Sequence, residues 1–357
     1  MVKIGKYIYG IIDSNHPESS GAYGISTCKD VYFIPYQDKA AVVSDAEILD
    51  YTQMVNDTLA RFLIEHQKVV EKIMSLGYSI IPMRLGTFAM DEAEVKDILT
   101  KGLSLIKEIT PKISDKIEID IVATWSDFTV AIKEAGEARE IKELKEQLLK
   151  NPKGITADDQ MRVGAILKDT LGQMRERYAT KIQSALKEFY DDFRQHELMD
   201  DKMVANMAFL IEKTKQEEFY VRVEGLNSEF AEKLNFRCVG PLPAYSFYTL
   251  EIKKMQFNDV DWARKRLGIL NDAVSSNEIK KNFRRQAFID HPDKNPDRPE
   301  AEREFDEIMR SYKILSDYAQ SCEQVGQESL IFNEDEFKKN AVLIKVKEDI
   351  SYRPKRT

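Results

Sequence analysis

Apolar and polar residues alternate along the first third of the chain in a way that predicts strands interleaved with helices. Short β-branched and aromatic runs at Lys6–Ile12, Val31–Tyr36 and Ala40–Ser44 are typical of strands. The turn-forming residues Gln37–Lys39 separate the last two runs, so those two runs predict a hairpin. A further strand is predicted at Ser79–Leu85.

Two amphipathic helices complete the pattern of this first region. The first helix ends before Gly77, a position at which glycine commonly terminates helices. Residues at helical spacing form its inner stripe: Val55, Leu59, Phe62, Leu63, His66, Val69, Val70 and Ile73. The second helix is predicted at Asp91–Ile109, with two acidic residues in its first turn, where the helix dipole favours them.

The middle of the chain predicts a second mixture of strands and helices. A strand at Ile117–Trp125 precedes two charged amphipathic helices, which the breaker Asn151–Gly154 separates. Thr156 is a candidate N-cap for the second of these helices. A further strand is predicted at Met203–Ile211. The next segment has strand propensity, but its apolar residues step at helical spacing, so we predict a helix there. Two strands, Phe236–Val239 and Tyr245–Ile252, then flank a Gly-Pro-Leu-Pro turn.

The chain becomes helical and highly charged after about Phe257. A short helix is predicted at Trp262–Leu267, and Ser275–Glu278 forms a capping box that starts a second helix. A third helix has an apolar stripe at Phe305, Ile308, Tyr312 and Leu315. The second and third helices therefore predict an antiparallel hairpin, joined at one end by the sequence HPDKNPD.

These patterns together predict an α+β fold class with helices on one face of each sheet. We expect two α+β domains, residues 1–115 and residues 116–256, the second with long helices. An all-α helical hairpin follows at residues 257–320, and a C-terminal tail occupies residues 321–357. The tail keeps one strand-like run, Ala341–Val346, and the sequence leaves open whether this run completes a sheet or stays free.

Composition narrows the class of function. A length of 357 residues favours two or three domains. The net charge of -8 predicts a soluble protein and argues against general nucleic-acid binding, which needs a basic surface. No apolar run approaches the roughly 20 residues that a membrane helix needs. The N-terminal sequence MVKIGKYIYGIIDS lacks the pattern of a signal peptide. We therefore expect a cytoplasmic protein without a membrane or nucleic-acid partner.

Patterns that mark metal or catalytic sites are absent from the sequence. The cysteines are far apart, form no CxxC pattern and predict a reducing compartment: Cys28, Cys238 and Cys322. Three histidines have no second ligand at helical or loop spacing: His16, His66 and His196. The chain has no GxxxxGK[ST] loop, no GxSxG motif and no HExxH motif. We therefore expect no metal, no cofactor and no catalytic residue, and we predict that the protein is not an enzyme.

The candidate site lies in the predicted hairpin. Its loop has the sequence His291-Pro292-Asp293, and proline fixes the backbone of such a loop. The helix before it carries four basic residues whose spacing places them on one face: Lys280, Lys281, Arg284 and Arg285. A basic face speeds the encounter with an acidic partner. The alternative is a charged helical hairpin that contains this tripeptide by chance.

These residues resemble a J-domain, the DnaJ-type module. EIKKNFRRQAFIDHPDKNP, followed by EAEREFDEIMRSYKILSD, is similar to the family's second helix, HPD loop and third helix. The resemblance implies a partner, a heat-shock-protein-70 (DnaK-type) chaperone, whose ATP hydrolysis J-domains stimulate. It also implies that His291, Pro292 and Asp293 are the trigger and that the four basic residues steer the chaperone onto it.

The segment departs from the J-domain pattern at three positions and at its end. Gln286 replaces the usual core leucine, Asp290 stands where an aromatic residue is frequent, and Ser311 replaces a small apolar residue. The usual basic fourth helix is missing or poor after Asp317. No glycine/phenylalanine-rich linker and no CxxC zinc repeats follow the segment. The departures leave the surface residues intact and imply either a weaker core or a specialised partner.

Residues 1–255 resemble the gas vesicle protein family GvpF/GvpL. The most specific matching pieces are PMRLGT and GPLPAYSF, within a longer series that includes YIYGIID and IEIDIVATW. This resemblance implies two α+β domains, the first ferredoxin-like, and an accessory role in building the gas vesicle. Arg84, within PMRLGT, either pairs with a buried carboxylate or contacts a client or partner. GPLPAYSF is either a rigid turn with core aromatic residues or a binding loop.

The two resemblances combine into one hypothesis. We expect a gas vesicle assembly factor whose J-domain recruits a DnaK-type chaperone to handle hydrophobic shell subunits, and whose location is the cytoplasm at gas vesicles. The gas vesicle shell protein and other gas vesicle proteins are its expected partners. The main alternative is a minor structural component of the shell, for which the J-like segment is only a docking arm. Purified vesicles that retain this protein in stoichiometric amounts after washing would favour that alternative. The third possibility is that the N-terminal region is an enzyme.

Overall fold

The computed structural model of the chain describes residues 3–13, 31–51, 54–150 and 155–347. These residues form two compact units. The first unit combines the residues up to 112 with residues 248–347, and the second unit holds residues 113–247. Several predicted features lie outside the described residues: Cys28, His16, the breaker Asn151–Gly154 and the end of the tail.

The first unit begins with an antiparallel sheet in the order β2-β3-β1-β4, and β5 pairs with the end of β1. Its strands have the following bounds: β1 Ile4–Asp13, β2 Val31–Tyr36, β3 Lys39–Glu47, β4 Ile80–Pro82 and β5 Phe88–Ala89. The predicted hairpin between β2 and β3 is confirmed. Its loop has only two residues, and the first of them, Gln37, has a φ of 53°, as tight hairpin turns require.

Two helices follow the apolar patterns that predicted them. Helix α1 spans Asn56–Ser75 and buries Val69, Val70 and Ile73 together with His66. The predicted stripe is wrong at Val55 and Leu63, which are exposed. Helix α2 spans Glu92–Ile113, four residues longer than its prediction at the C-terminal end. The ferredoxin-like topology expected for this domain stays a prediction, because the connection between β1 and β2 lies outside the described residues.

The second unit has its own antiparallel sheet, in the order β7-β8-β6-β9. Its strands and helices alternate as β-α-β-β-α-β, the connectivity of a split β-α-β motif. The elements have the following bounds: β6 Lys116–Trp125, α3 Phe128–Gly136, α4 Arg139–Leu149, α5 Ala157–Leu186, β7 Asp192–Gln195, β8 Met203–Glu212, α6 Gln216–Glu229 and β9 Leu234–Leu242. The α+β class and the long helices are confirmed, and so is the Thr156 cap of α5, which forms a capping box with Asp159.

The prediction of a strand at Tyr245–Ile252 is wrong in its first half. Residues Tyr245–Tyr248 form a short helix, α7, and strand β10 spans only Leu250–Lys254. The backbone N–H of Ser246 donates to the carboxylate of Glu118 at 2.8 Å instead of to a neighbouring strand. Strand propensity at this position is therefore overridden by a buried acceptor, which takes the donor that a sheet would have used.

The C-terminal part of the first unit contains the predicted helical hairpin. Its elements have the following bounds: α8 Phe257–Arg266, β11 Ala273–Ser275, α9 Ser276–Ile289, α10 Ala301–Gln324, β12 Ser329–Ile331, α11 Glu334–Asn340 and β13 Val342–Val346. Helices α9 and α10 pack together, and the rings of Phe283 and Tyr312 stack with centroids 4.1 Å apart. Strand β11 lies in the region that was expected to be all-α, and it pairs with β12 of the expected tail.

The described part of the tail, residues 321–347, is part of the folded core. Helix α10 runs past the expected boundary at residue 320, and it buries Tyr318 and Cys322 beyond the point where the sequence pattern loosens. Strand β13 contains the run Ala341–Val346 except for its first residue, and it pairs with β10. The expected boundary at residue 256 therefore does not separate two bodies, because residues 257–346 pack with the first domain. In the part of the chain that the structure describes, no helix is both long enough and apolar enough to cross a bilayer.

A buried histidine on α1 makes the stability of the fold depend on pH. The Nδ1 atom of His66 lies 2.8 Å from the hydroxyl of Tyr7, and burial lowers the pKa of His66 from 6.5 to about 4. Between these two pH values the unfolded chain binds the proton and the folded chain does not. Stability is therefore complete above about pH 6.5 and falls toward pH 4, by about 1.4 kcal/mol per pH unit from this residue.

We expect His66→Phe to remove this contribution. Urea unfolding at several pH values between 4 and 6.5 should give a shallower loss of unfolding free energy for the variant than for the natural protein. Tyr7→Phe is the control, since it keeps His66 buried and should keep most of the slope. Equal slopes for His66→Phe and the natural protein would contradict the assignment.

Two buried serines on α10 differ in whether their hydroxyls are bonded. Ser311 is 0% exposed, and its Oγ has no hydrogen-bond partner among the described residues. Ser321 is 1% exposed, and its Oγ lies within hydrogen-bond distance of the carbonyls of Tyr318 and Asn340. We expect Ser311→Ala to raise the unfolding free energy by about 1 kcal/mol and Ser321→Ala to lower it by a similar amount. Denaturant unfolding of both variants tests this, and a loss of stability in Ser311→Ala would refute it.

Candidate functional site

Helix α9 begins at a capping box that the sequence predicts. The Oγ of Ser275 accepts from the backbone N–H of Glu278 at 3.3 Å, and the Glu278 carboxylate accepts from the N–H of Ser275 at 2.8 Å. The hydrogen bond from this backbone N–H keeps the pKa of Glu278 below its ordinary value. The box fixes the first turn of α9 and therefore the direction in which its later side chains project.

The four predicted basic residues lie on α9, and all of them are exposed. We call them the basic face: Lys280, Lys281, Arg284 and Arg285. Arg285 donates to the side chain of Asn282 at 3.0 Å. Within the described ranges none of the four has a carboxylate at ion-pair distance, although many other basic residues of the chain do. The positive charge of this face is therefore available to an acidic surface.

The HPD loop, His291–Asp293, is a defined turn. His291 is the N-cap of a single 3₁₀ turn at Pro292–Lys294, and its Nδ1 accepts from the backbone N–H of Asp293 at 3.1 Å. Pro292 occupies the first position of the turn, where the missing N–H costs nothing. The Asp293 side chain is 88% exposed. The arrangement leaves the Asp293 carboxylate at the surface beside a His291 side chain that is 40% exposed.

Two residues that sequence reasoning did not single out for the site hold the loop in place. The side-chain amide of Asn295 donates to the carbonyls of Ile289 and His291, at 2.8 and 3.0 Å. The ring of Phe305 packs edge-on against the imidazole of His291, with centroids 5.2 Å apart. The sequence pattern identifies Phe305 only as one of the apolar residues of the third helix, α10. The signal for Asn295 was its place in DKNPD, because asparagine side chains commonly bond nearby backbone in turns.

The acid that replaces the expected aromatic residue before the loop is accommodated by an ion pair. Asp290 is buried, and Arg298 lies 3.4 Å from its carboxylate and 2.7 Å from that of Glu304. One turn away, the ammonium of Lys294 lies over the ring of Phe288. The loop is therefore braced by charged and cation–π contacts at a position where the family pattern would use an aromatic residue.

Arg84 belongs to a different group of contacts. Its guanidinium is 61% exposed and lies 3.0 Å from the carboxylate of Glu251, while its backbone N–H donates to Leu250 at 2.7 Å. Glu251 is largely buried. Of the two alternatives, a pair with a buried carboxylate is present in the structure, and a contact with a client stays a prediction.

The GPLPAYSF segment lies against a buried carboxylate in the second unit. The backbone N–H and the hydroxyl of Ser246 each bond the Glu118 carboxylate at 2.8 Å, and the Nε2 of His196 lies 3.1 Å from the same hydroxyl. Burial raises the pKa of Glu118 well above its ordinary value. These contacts anchor the turn.

Among the described residues, no group of three or more His, Cys, Asp or Glu side chains is arranged to hold a metal ion.

Comparison with known proteins divides the chain into the same two regions as its motifs. The family model described as gas vesicle synthesis protein GvpL/GvpF matches residues 5–249, and the DnaJ domain model matches residues 265–322. Gas vesicle protein F of Nostoc sp. PCC 7120 is 23% identical over 245 residues, which is 68% of this chain and 97% of that protein. Gas vesicle protein F of Streptomyces sp. CB03234 is 27% identical over 244 residues, 68% of this chain and 98% of that protein.

The second region has relatives of a different kind. The chaperone protein DnaJ of Salinibacter ruber is 53% identical over 51 residues, which is 14% of this chain and 13% of that protein. Among solved structures, gas vesicle protein GvpF from Anabaena sp. PCC7120 matches with a TM-score of 0.60 at 22% identity. That match covers 69% of this chain and 98% of the other, so the two share a fold over the first region. The chain belongs to the gas vesicle synthesis protein GvpL/GvpF family, and it carries a DnaJ domain after the family region.

Proposed function

We propose that this protein is a gas vesicle assembly factor whose J-domain recruits a DnaK-type chaperone and stimulates its ATPase. One observation carries the proposal: an ordered HPD loop stands beside an unpaired basic face, on a chain whose other two thirds belong to a gas vesicle family. The expected client is a hydrophobic shell subunit. Such subunits are prone to aggregate before they assemble, and a chaperone cycle reduces that hazard.

The geometry supports a docking and triggering role without catalysis by this chain. The basic face attracts an acidic surface of the chaperone over a distance of about a Debye length, ~10 Å at 0.1 M salt. At contact, the Nδ1 of His291 already accepts a hydrogen bond within its own loop, so Nε2 is the ring nitrogen left to donate to the partner. The exposed Asp293 carboxylate accepts charge-assisted hydrogen bonds from the partner.

The location at gas vesicles and the interaction with other gas vesicle proteins are proposed on the family membership. The structural alternative is a minor component of the shell whose J-like segment serves only as a docking arm. It does not require the match to the DnaJ domain, whereas the co-chaperone role does, and the Asn295 and Phe305 contacts hold the loop of that domain.

Removing the two polar groups of the HPD loop should abolish the stimulation. We expect His291→Gln and Asp293→Asn to leave the ATP turnover of the host's DnaK-type chaperone at its basal rate, measured with the full chain. Asp306→Asn is the matched control, because Asp306 is also an exposed aspartate of the same helical hairpin. Stimulation by His291→Gln equal to that of the natural protein would refute the co-chaperone role.

The basic face should act through long-range attraction. Lys280→Ala combined with Lys281→Ala should raise the half-maximal concentration for ATPase stimulation about three- to tenfold at low ionic strength. The difference should shrink at 0.5 M salt, because exposed charges are then screened. The control is Lys338→Ala with Lys339→Ala, two exposed lysines of α11 that already pair with glutamates. A salt-independent defect in the α9 variant would contradict the steering role.

A further inference from the structure

Five charged residues from β10, β13, α10 and the turn after β4 form a chain of alternating sign. In order they are Arg84 after β4, Glu251 of β10, Lys345 of β13, Asp317 of α10 and Lys253, again of β10. The Lys345 ammonium lies 3.6 Å from both carboxylates. The three inner members are largely buried, and removing one partner of a buried pair leaves an uncompensated charge. The chain thus holds these four parts of the fold in one arrangement.

Strand β13 is bonded along both of its edges. One edge pairs with β10 over five residues, from Leu250 with Val346 to Lys254 with Val342. On the other edge, the side-chain amide of Gln324 donates to the carbonyl of Ile344 and accepts from its N–H. Helix α10, the third helix of the J-domain, is therefore hydrogen-bonded directly to the strand.

The rest of the tail completes the core of the J-domain. Four apolar side chains from the tail join the buried cluster of α8, α9 and α10: Leu330, Phe332, Phe337 and Leu343. The hydroxyl of Tyr318 donates to the carbonyl of Ile331 at 2.6 Å, and that of Ser321 lies 2.7 Å from the carbonyl of Asn340. The tail occupies the place in sequence where the family's fourth helix is missing.

The N-terminal domain contacts both strands of this sheet: β10, through Leu250 and Lys254, and β13 of the tail, through Ile344. A bridge joins Met83 to Leu250, and Lys254 pairs with Glu94 at 2.6 Å. Gly102 of α2 faces Ile344 of β13 so closely that a Cβ at Gly102 would lie 3.3 Å from the Ile344 side chain. A glycine permits this close approach of helix and strand.

From these contacts we propose that residues 329–346, the latch, fasten the J-domain to the N-terminal gas vesicle domain in one fixed orientation, and that this docked state is the working state. The proposal rests on the proposed function for its second half. The orientation of the J-domain is set mainly by the pairing between β10 and β13 and by the buried charges. The HPD loop is therefore not attached to the N-terminal domain by a flexible linker. A DnaK-type partner is thereby delivered to one position relative to the N-terminal sheet.

A disulfide across the latch tests both halves in the full chain. In Gly102→Cys with Ile344→Cys, the two Cβ atoms are expected 3.5 Å apart, which is disulfide geometry. We expect this pair to oxidise at least about tenfold faster than Thr100→Cys with Ile344→Cys. Thr100 lies about 200° around the axis of α2 from Gly102, so its side chain points away from Ile344. Peptide mapping by mass spectrometry identifies the bonded pair and separates it from reactions of the natural cysteines.

The two halves fail in different ways. Oxidation no faster than in the Thr100 control overturns the docking. Full stimulation of the ATPase by the oxidised protein supports the docked working state, whereas loss of stimulation that reduction restores overturns it. Absence of stimulation in the natural protein refutes the proposed function and leaves the docking result standing.

A second variant keeps the docking testable if Ile344→Cys does not fold. Asp317→Asn preserves the size of the side chain and removes a charge that lies between Lys253 and Lys345. We expect the backbone amides of residues 342–346 to exchange hydrogen about tenfold faster in this variant. Asp306→Asn, on the exposed side of the same helix, should not change them. Unchanged exchange in Asp317→Asn overturns the role of the charge chain.

Discussion

A hairpin of two amphipathic helices can cover only part of its apolar surface by itself, and this constraint organises the C-terminal third of the chain. Helices α9 and α10 bury Ile279, Ile308 and Leu315 between them, but α10 also turns Tyr318 and Cys322 away from its partner. Small units bury too little surface to be stable without further support. The tail and α8 provide that support, and the conformation of the HPD loop depends on it, because the loop is anchored to both helix ends.

In this molecule, paired charges hold elements of the fold together, whereas the exposed basic charges of α9 have no such role in the fold. Inside the first unit, Asp317 and Glu251 each have two basic neighbours within ion-pair distance. On α9 the basic side chains stand in solvent. Unpaired charge contributes little to folding, but it sets the rate at which a charged partner arrives. The two uses of lysine and arginine lie on neighbouring elements of the same unit.

Periodicity in the sequence was sufficient to predict most long elements. The stripes of α6, α9 and α10, the hairpin of β2 and β3, the Thr156 cap and the Ser275 capping box depend on local spacing, which the sequence contains in full. The site was predictable for the same reason, since His291, Pro292, Asp293 and the basic residues are contiguous on one helix and its loop. Elements whose hydrogen bonds go to distant residues were not predictable. Residues Tyr245–Tyr248 left the strand state because Glu118, far away in sequence, takes a backbone donor. The tail looked loose because its apolar residues follow no long helical period, and the core cluster that they join includes residues from distant helices.

The side chain of Gln324 limits the pairing of other strands with the outer edge of β13. A primary amide is the same hydrogen-bonding group as a peptide unit, so Gln324 occupies the outer edge of β13 as one residue of a third strand would. Free strand edges invite pairing with other chains. With both polar groups of Ile344 taken, the two-stranded sheet ends there, and another protein chain finds no strand edge at this point with which it can pair.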